Sequence, residues 1–357
     1  MRIDQLVPAY HRGDAVGDTA AHLKKFFLSQ GFRSHIYCLS RDPGLEEESR
    51  LFSSFPEPSP SDITILHFAL PSPLSQEFSR LPSKKVVVYH NITPAEFFLP
   101  YSRELAGISR RGKEELRSLI PHVSLVLADS EYNRQDVLRL GFARTEVFPL
   151  FVDFKKYQKP PGQLTFEMFR DQRTNILFVG RIVPNKKIED LIKVTFYFKK
   201  YISPLVRLIV VGKTSTVPKY YQSLIQLADE FYLQPDEICF TGHIPDEEMF
   251  ALYKASDVFL SASEHEGFGL PFIESMIFDL PIVAYLCTAV PYTLGGAGVL
   301  VKNKRVDYWG ELLNMVAHQE KLRKNIIQAQ QRRLREFREM EVEKILVQSV
   351  ENLIEQD

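Results

Sequence analysis

Three cysteines in 357 residues, Cys38, Cys239 and Cys287, are too widely spaced for a metal-ligand motif and odd in number for a disulfide framework. They read as reduced, buried thiols of a cytosolic protein. No segment reaches the roughly 18 consecutive apolar residues that span a bilayer. The opening Met1-Arg2-Ile3-Asp4-Gln5-Leu6-Val7-Pro8 lacks a signal-peptide apolar region. The expected location is therefore cytoplasmic, with membrane contact peripheral at most. A net charge of −1, from 44 basic and 45 acidic side chains, removes any global electrostatic case for nucleic acid. There is no low-complexity segment, fixed-period repeat or strand–GxGxxG–helix unit, so a nicotinamide dehydrogenase is disfavoured. Gly295-Gly296-Ala297-Gly298 neither opens a helix nor carries the acidic residue a dinucleotide fingerprint requires about 20 positions later. It reads as a turn before Val299-Leu300-Val301.

What is present is an ordinary globular composition, 45% hydrophobic and 25% charged, with material for two cores. Short apolar runs alternate with amphipathic stretches, the pattern of βα repeats around a mostly parallel sheet. A helix near 17–30 starts the series and ends at Gly31. Strands are expected near 34–40, 62–68, 85–90, 123–128 and 145–149, and a helix over 131–140 behind the cap Asp129-Ser130. A composition break at 155–174, centred on Lys159-Pro160-Pro161-Gly162, reads as a linker. The second half restarts with a strand from Asn175 that ends in Gly180. Further strands follow at 206–211, 238–241, 258–262 and 281–285, with helices at 187–200, 218–231, 246–254 and 271–278. Residues 306–356 look helical. The expected domains are 1–160, 170–338, and a final helix at 339–357 that crosses back onto the first lobe.

The densest chemistry lies between the strands at 258–262 and 281–285. The turn Glu266-Gly267-Phe268-Gly269-Leu270-Pro271 feeds a short helix that carries Glu274. Pro271 suits a first helical turn. Glycines allow close approach to the backbone, and the N–H groups of Gly269 and Leu270 at the positive end of a helix form an anion site. A carboxylate in the next turn accepts hydrogen bonds from neighbouring hydroxyls. Phosphate plus polyol is the ligand this suggests. The bland reading of Glu274, a carboxylate complementing the helix dipole, needs no ligand at all.

A second loop, Gly180-Arg181-Ile182-Val183-Pro184-Asn185-Lys186-Lys187, follows a strand directly. That is the carboxyl edge where α/β folds bind ligands. Arg181 offers a planar fork and Lys186 a point charge, a pairing that suits a diphosphate. Elsewhere, Gly242-His243-Ile244 ends a strand, Gly17 lies at the first helix, and His90 ends the strand Val86-Val87-Val88-Tyr89. His67 ends another strand and is read as structural.

The run Glu266-x7-Glu274 within Glu-Gly-Phe-Gly-Leu-Pro, followed by Glu-Ser-Met and Leu-Pro-Ile-Val-Ala, resembles the signature of retaining glycosyltransferases of family 4. The resemblance is strong over 175–300 and weak in the first lobe, where the family's glycine pair is missing and Gly17 is the nearest match. It implies the GT-B architecture: two Rossmann-like lobes facing across a cleft, with a helical tail. The C-terminal lobe would bind the nucleotide sugar and the N-terminal lobe the acceptor. Arg181 and Lys186 would stabilise the diphosphate without a divalent metal or other cofactor. Glu266 would hold the transferred sugar and Glu274 the ribose. Gly180, Gly267, Phe268, Gly269 and Leu270 would line the phosphates and sugar, with Gly17 approaching the donor phosphate. Gly242, His243 and Ile244 would meet the base, and His90 would orient the sugar.

The expected activity is retaining transfer of a hexose to a saccharide or lipid-linked saccharide acceptor, in polysaccharide or glycolipid synthesis. UDP-hexose, above all UDP-glucose, is favoured as donor over GDP-mannose. The alternatives are a sugar-nucleotide epimerase or hydrolase of the same fold, or a non-catalytic sugar-nucleotide-binding module. Two basic stretches suit an anionic membrane surface or plain solvation: 103–117, with five basic and three acidic residues, and 320–338, with seven and two.

Overall fold

The computed structural model describes residues 1–340 and 342–354. They form two compact units. One comprises 1–96, 104–152 and the tail from Val342; the other comprises 97–103 and 153–340. Each is built on a wholly parallel sheet. In the first, β1 (Ile3–Tyr10), β2 (Ile36–Arg41), β3 (Arg50–Leu51), β4 (Ile63–Phe68), β5 (Lys84–Tyr89), β6 (Leu125–Ala128) and β7 (Thr145–Val147) lie in the order β3-β2-β1-β4-β5-β6-β7. In the second, β8 (Thr174–Val179), β9 (Val206–Val211), β10 (Ile238–Gly242), β11 (Val258–Ser261), β12 (Ile282–Tyr285) and β13 (Val299–Val301) lie in the order β10-β9-β8-β11-β12-β13. Both are Rossmann-like orders with a switch point, between β1 and β4 in one lobe and between β8 and β11 in the other. Strands covered on both faces read as unbroken apolar runs. Accordingly, every residue of β4 and β9 is buried.

The largest departure from expectation is β1, which the sequence reading passed over and which is an interior strand of the first sheet, beside β4. Its sequence, IDQLVPAY, is interrupted by two polar residues and a proline. Asp4 is nonetheless buried, accepting from the His35 N–H at 3.0 Å with Arg2 Nε 3.1 Å away. Gln5 is also buried and donates to the Ala20 carbonyl at 3.0 Å. Pro8 lies beyond the last β1–β4 pair, Leu6 with Leu66, where no further ladder runs on that side.

The helix Arg103–Ser118 was also missed. Its buried face consists of Ala106, Ser109, Gly112 and Leu116, three small residues and one leucine at helical spacing, set in a strongly charged sequence. The stretch expected as a linker contains the helix Gln163–Phe169, entered through Gly162, whose N–H donates to Glu247 O at 2.8 Å. The three cysteines are free. Cys38 is buried, whereas Cys239 and Cys287 are half-buried, short of the burial expected for them.

Helices Val306–His318 and Glu320–Glu339 close the second unit, and Val342–Ile354 packs on the first. This last helix buries Leu346 and Val350; Lys84 Nζ donates to its Leu353 carbonyl at 2.6 Å. No helix among the described residues is long and apolar enough to cross a membrane.

The helix Glu320–Glu339 is anchored to the second sheet by one buried amide. Gln330 Oε1 accepts the Ile282 N–H at 3.0 Å, and its Nε2 donates to Leu280 O at 2.9 Å. Gln330→Leu leaves both backbone groups without partners. A loss of about 2–6 kcal/mol is expected in urea unfolding, because each of the two stranded buried groups costs about 1–3 kcal/mol.

Candidate functional site

At the switch point of the second sheet, the connections after β8 and β11 leave in different directions, and the residues singled out by sequence collect on these two loops. Asn185 ties the loops together. Its Nδ2 donates to His265 O at 2.9 Å, and its own carbonyl accepts the Glu264 N–H at 2.8 Å. Beside this tie, Lys186 Nζ donates to Glu266 Oε2 at 2.6 Å, joining side chains 80 residues apart in sequence. The pair is largely shielded, at 16% and 10% side-chain exposure, so solvent screens it little. Glu266 Oε1 has no partner among the described residues.

Arg181 is exposed and makes no ion pair among the described residues. The next cation, Lys187, faces Glu189 at 3.7 Å and Glu264 at 3.5 Å. Burial disfavours its charge, but the two carboxylates outweigh burial and raise its pKa. Lys304 completes this polar edge by donating to Asp190 at 2.8 Å, Glu264 at 2.9 Å and the Ala262 carbonyl at 3.0 Å. Arg181 is therefore the cation left uncommitted, while Lys186 is held by the carboxylate of Glu266.

Gly269 enters the helix Leu270–Ile277 at φ +88°, and a Cβ there would lie 2.6 Å from the Phe272 ring. Only glycine fits. Pro271 has no N–H, and the N–H groups of Gly269 and Leu270 take no acceptor among the described residues. Phe268 turns the other way: its ring is buried edge-on against Phe337, so it can offer a ligand only its backbone.

Glu274 is more enclosed than a ribose-binding carboxylate was expected to be. Tyr157 donates to its Oε1 at 2.9 Å and Tyr253 to its Oε2 at 2.7 Å. Burial raises its pKa, and the two hydroxyls pull it partly back. A diol reaching Glu274 would have to share these oxygens with the tyrosines or displace them.

Glycines end the three strands on the other side of the switch and continue the ladder past the sheet. Gly180 N–H donates to Val211 O, and Gly212 N–H to Gly242 O, both at 2.9 Å. A Cβ on Gly212 would lie 1.9 Å from Gly180 O. Beyond Gly242, His243 is exposed and Ile244 half-buried.

Gly17 and His90 belong to the first lobe. Gly17 lies in the first turn of the helix Ala15–Ser29, where its N–H donates to the Asp14 cap at 2.7 Å. A Cβ there would come 1.6 Å from His11 O. Close packing thus accounts for this glycine, and its N–H is already committed. The His90 ring points inward, with Nε2 3.0 Å from His67 Nδ1 and Nδ1 3.1 Å from Asp129 Oδ2. His67 Nε2 in turn lies 2.9 Å from Gln5 Oε1. Because the Gln5 amide donates to Ala20 O, its oxygen accepts from His67, which fixes the His67 tautomer. Both His90 nitrogens are thus engaged inside the lobe. A separate groove of about 690 Å³ in this lobe, lined in part by Ser72, Gln76, Arg111 and His122, contains none of the residues assigned to donor or catalysis.

Tyr157, Tyr253, Thr288 and Lys304 are site residues that sequence reasoning missed. A hydroxyl or lysine outside the motif gives no local signal, and each reaches the site through the fold.

The Glu274 environment fixes the sign of a pH effect. A carboxyl whose folded-state pKa is raised favours folding when protonated. That contribution is complete below the unfolded value near 4.5 and is lost as pH rises through the folded value. Wild type should therefore lose melting temperature relative to Glu274→Gln as pH rises from about 4.5, and Tyr253→Phe should extend the loss to higher pH. Parallel melting curves for wild type and Glu274→Gln across that range would refute the assignment.

Residues 166–333 match the family model described as "Glycosyl transferases group 1". The O-antigen chain mannosyltransferase B of Escherichia coli is 24% identical over 201 residues, 55% of this chain and 52% of that protein. The chain spans about half the length, or less, of the curated relatives it matches. Among solved structures, sucrose-phosphate synthase from Thermosynechococcus elongatus superposes with a TM-score of 0.76, at 16% identity and full coverage of both chains. HepE of Anabaena, solved with UDP-glucose, gives 0.71 at 17% identity, covering 98% of this chain and 99% of its own. The family match thus covers the second lobe, and the whole chain has the two-lobed GT-B fold.

Proposed function

We propose that the protein transfers a hexose from a nucleoside diphosphate sugar, with retention, to a saccharide or lipid-linked saccharide in polysaccharide or glycolipid assembly. The observation that carries this reading is the switch-point constellation. The Lys186–Glu266 pair, the uncommitted Arg181 and the open N–H groups of Gly269 and Leu270 lie on the two loops flanking one strand boundary. Arg181 and Lys186 would take the diphosphate, with the helix N-terminus adding two donors. Lys186 would exchange part of its contact with Glu266 for phosphate oxygen, and Glu266 would turn to the hydroxyls of the sugar.

In this reading the bond between the anomeric carbon and the diphosphate oxygen breaks on the face where the acceptor oxygen attacks. The departing diphosphate takes the acceptor's proton. The protein's contribution is positioning and stabilisation of developing negative charge, without a metal cofactor. Neither Glu266, paired with Lys186, nor Glu274, enclosed by tyrosines, is assigned as a covalent nucleophile. The inward-turned His90 would act on the sugar through the position of its loop.

UDP-glucose remains the first donor proposed, supported by the fold shared with a structure that holds it. GDP-mannose is the second reading, favoured by relatives named as mannosyltransferases. A peripheral place at the cytoplasmic membrane face is proposed from the helix Arg103–Ser118, which exposes Arg103, Arg110, Arg111 and Arg117.

A thermal-shift panel of UDP, GDP and ADP sugars tests the donor assignment, since a ligand that binds only the native state raises its melting temperature. Stabilisation by one nucleotide class is expected, and no shift with any member overturns the reading. With the matching donor, Arg181→Ala and Lys186→Ala should each lower turnover by roughly 100-fold or more, the scale of losing one charge-stabilising donor. Turnover equal to wild type in both variants would remove the diphosphate clamp.

A further inference from the structure

Thr288 follows β12 and has a left-handed backbone, at φ +36°. A β-branched residue seldom adopts that region, and such strain persists only where surrounding contacts over-determine it. The contacts here converge on one residue, 22 positions earlier. The Thr288 hydroxyl oxygen accepts the Glu266 N–H at 2.8 Å and donates to the Glu266 carbonyl at 2.9 Å. The Ala289 N–H approaches the same carbonyl at 3.4 Å. Thus a single side chain engages both backbone groups of the residue whose carboxylate meets Lys186.

The neighbouring residue grips the same loop. Cys287 Sγ lies 2.9 Å from Ser263 O, with Thr288 Oγ1 3.6 Å from that sulfur. Burial pushes the Cys287 thiol up to about 12, so it stays a neutral donor. From the β8 side, Asn185 holds His265 and Glu264. The loop is therefore clasped from two directions, and the Glu266 end of the clasp depends on one strained threonine.

We infer that Thr288 is a positioning residue for Glu266, fixing its backbone so that one carboxylate oxygen meets Lys186 and the other faces the transferred sugar. This rests on the donor-site reading above. A threonine that merely filled space would be replaceable by valine. A threonine that holds Glu266 through its hydroxyl would be replaceable only by serine.

The test is calorimetric titration with UDP and UDP-glucose, and with GDP and GDP-mannose, on wild type and on Thr288→Val, Thr288→Ser, Thr288→Ala and Thr288→Gly. The quantity read is the ratio of sugar-nucleotide to nucleotide affinity, which isolates the sugar's contribution. In Thr288→Val and Thr288→Ala, nucleotide affinity should hold while the ratio falls on the order of tenfold, the scale of one lost hydrogen-bonded contact. Thr288→Ser should restore the ratio. Thr288→Gly should melt above Thr288→Ala, because glycine relieves the left-handed backbone, yet show the same reduced ratio. Should the valine variant fail to fold, the alanine and serine pair carries the comparison.

An unchanged ratio in both Thr288→Val and Thr288→Ala, or no recovery in Thr288→Ser, overturns the inference while leaving the donor site standing. So does an equal loss of nucleotide and sugar-nucleotide affinity, which marks a collapsed loop. A wild type that binds neither sugar nucleotide overturns the donor site, and this inference with it.

Discussion

The site depends on a topological constraint. In the second sheet, the strands on one side of the β8–β11 boundary and those on the other continue into connections that separate, so the chain leaves an opening at the carboxyl edge. Everything described at the site is a way of furnishing that opening. Asn185 keeps its two walls at a fixed separation, Lys186 and Glu266 span it with opposite charges, and a glycine-led helix points its N-terminus there. Without the switch, the same residues would be two unrelated surface loops.

The charge arrangement explains how such a site stays folded without ligand. A cationic loop beside a helix N-terminus repels itself unless a carboxylate is near. Glu266 supplies the compensation for Lys186, and Glu264 does so for Lys187 and Lys304. Of the cations described on these loops, Arg181 is exposed and makes no ion pair among the described residues. In the function proposed above, a diphosphate would meet one unpaired cation and compete with a carboxylate for another. Binding would then be an exchange of partners rather than the filling of a vacant charge.

Much of this was legible in sequence because the chemistry is local. The loops 180–187 and 266–274 are short runs whose glycines, charges and proline carry meaning at fixed spacing, and each lies where a strand meets a helix. The strands around them announced themselves as apolar runs. What stayed hidden was non-local or compositionally disguised. Strand β1 carries a buried aspartate and glutamine, whose hydrogen-bond partners lie 15 to 62 residues away. The helix Arg103–Ser118 buries alanine, serine and glycine beside a single leucine, so its apolar face was masked by the charges around it. Tyr157 and Tyr253 reach Glu274 from a supposed linker and from a helix, and Thr288 reaches Glu266 from a turn. His67 looked like an ordinary strand-end residue until its two partners, Gln5 and His90, were in place.

The return of the helix Val342–Ile354 to the first unit has a consequence for biosynthesis. The first lobe is assembled from 1–96, 104–152 and the tail from Val342, whereas the second draws on nothing beyond residue 340. During vectorial synthesis, the lobe translated first is therefore the last to be finished. Until the tail arrives, the apolar surface that will receive Leu346 and Val350 is open to water and to neighbouring chains. Removing Val342–Ile354 would accordingly injure the lobe built mainly from residues 1–152.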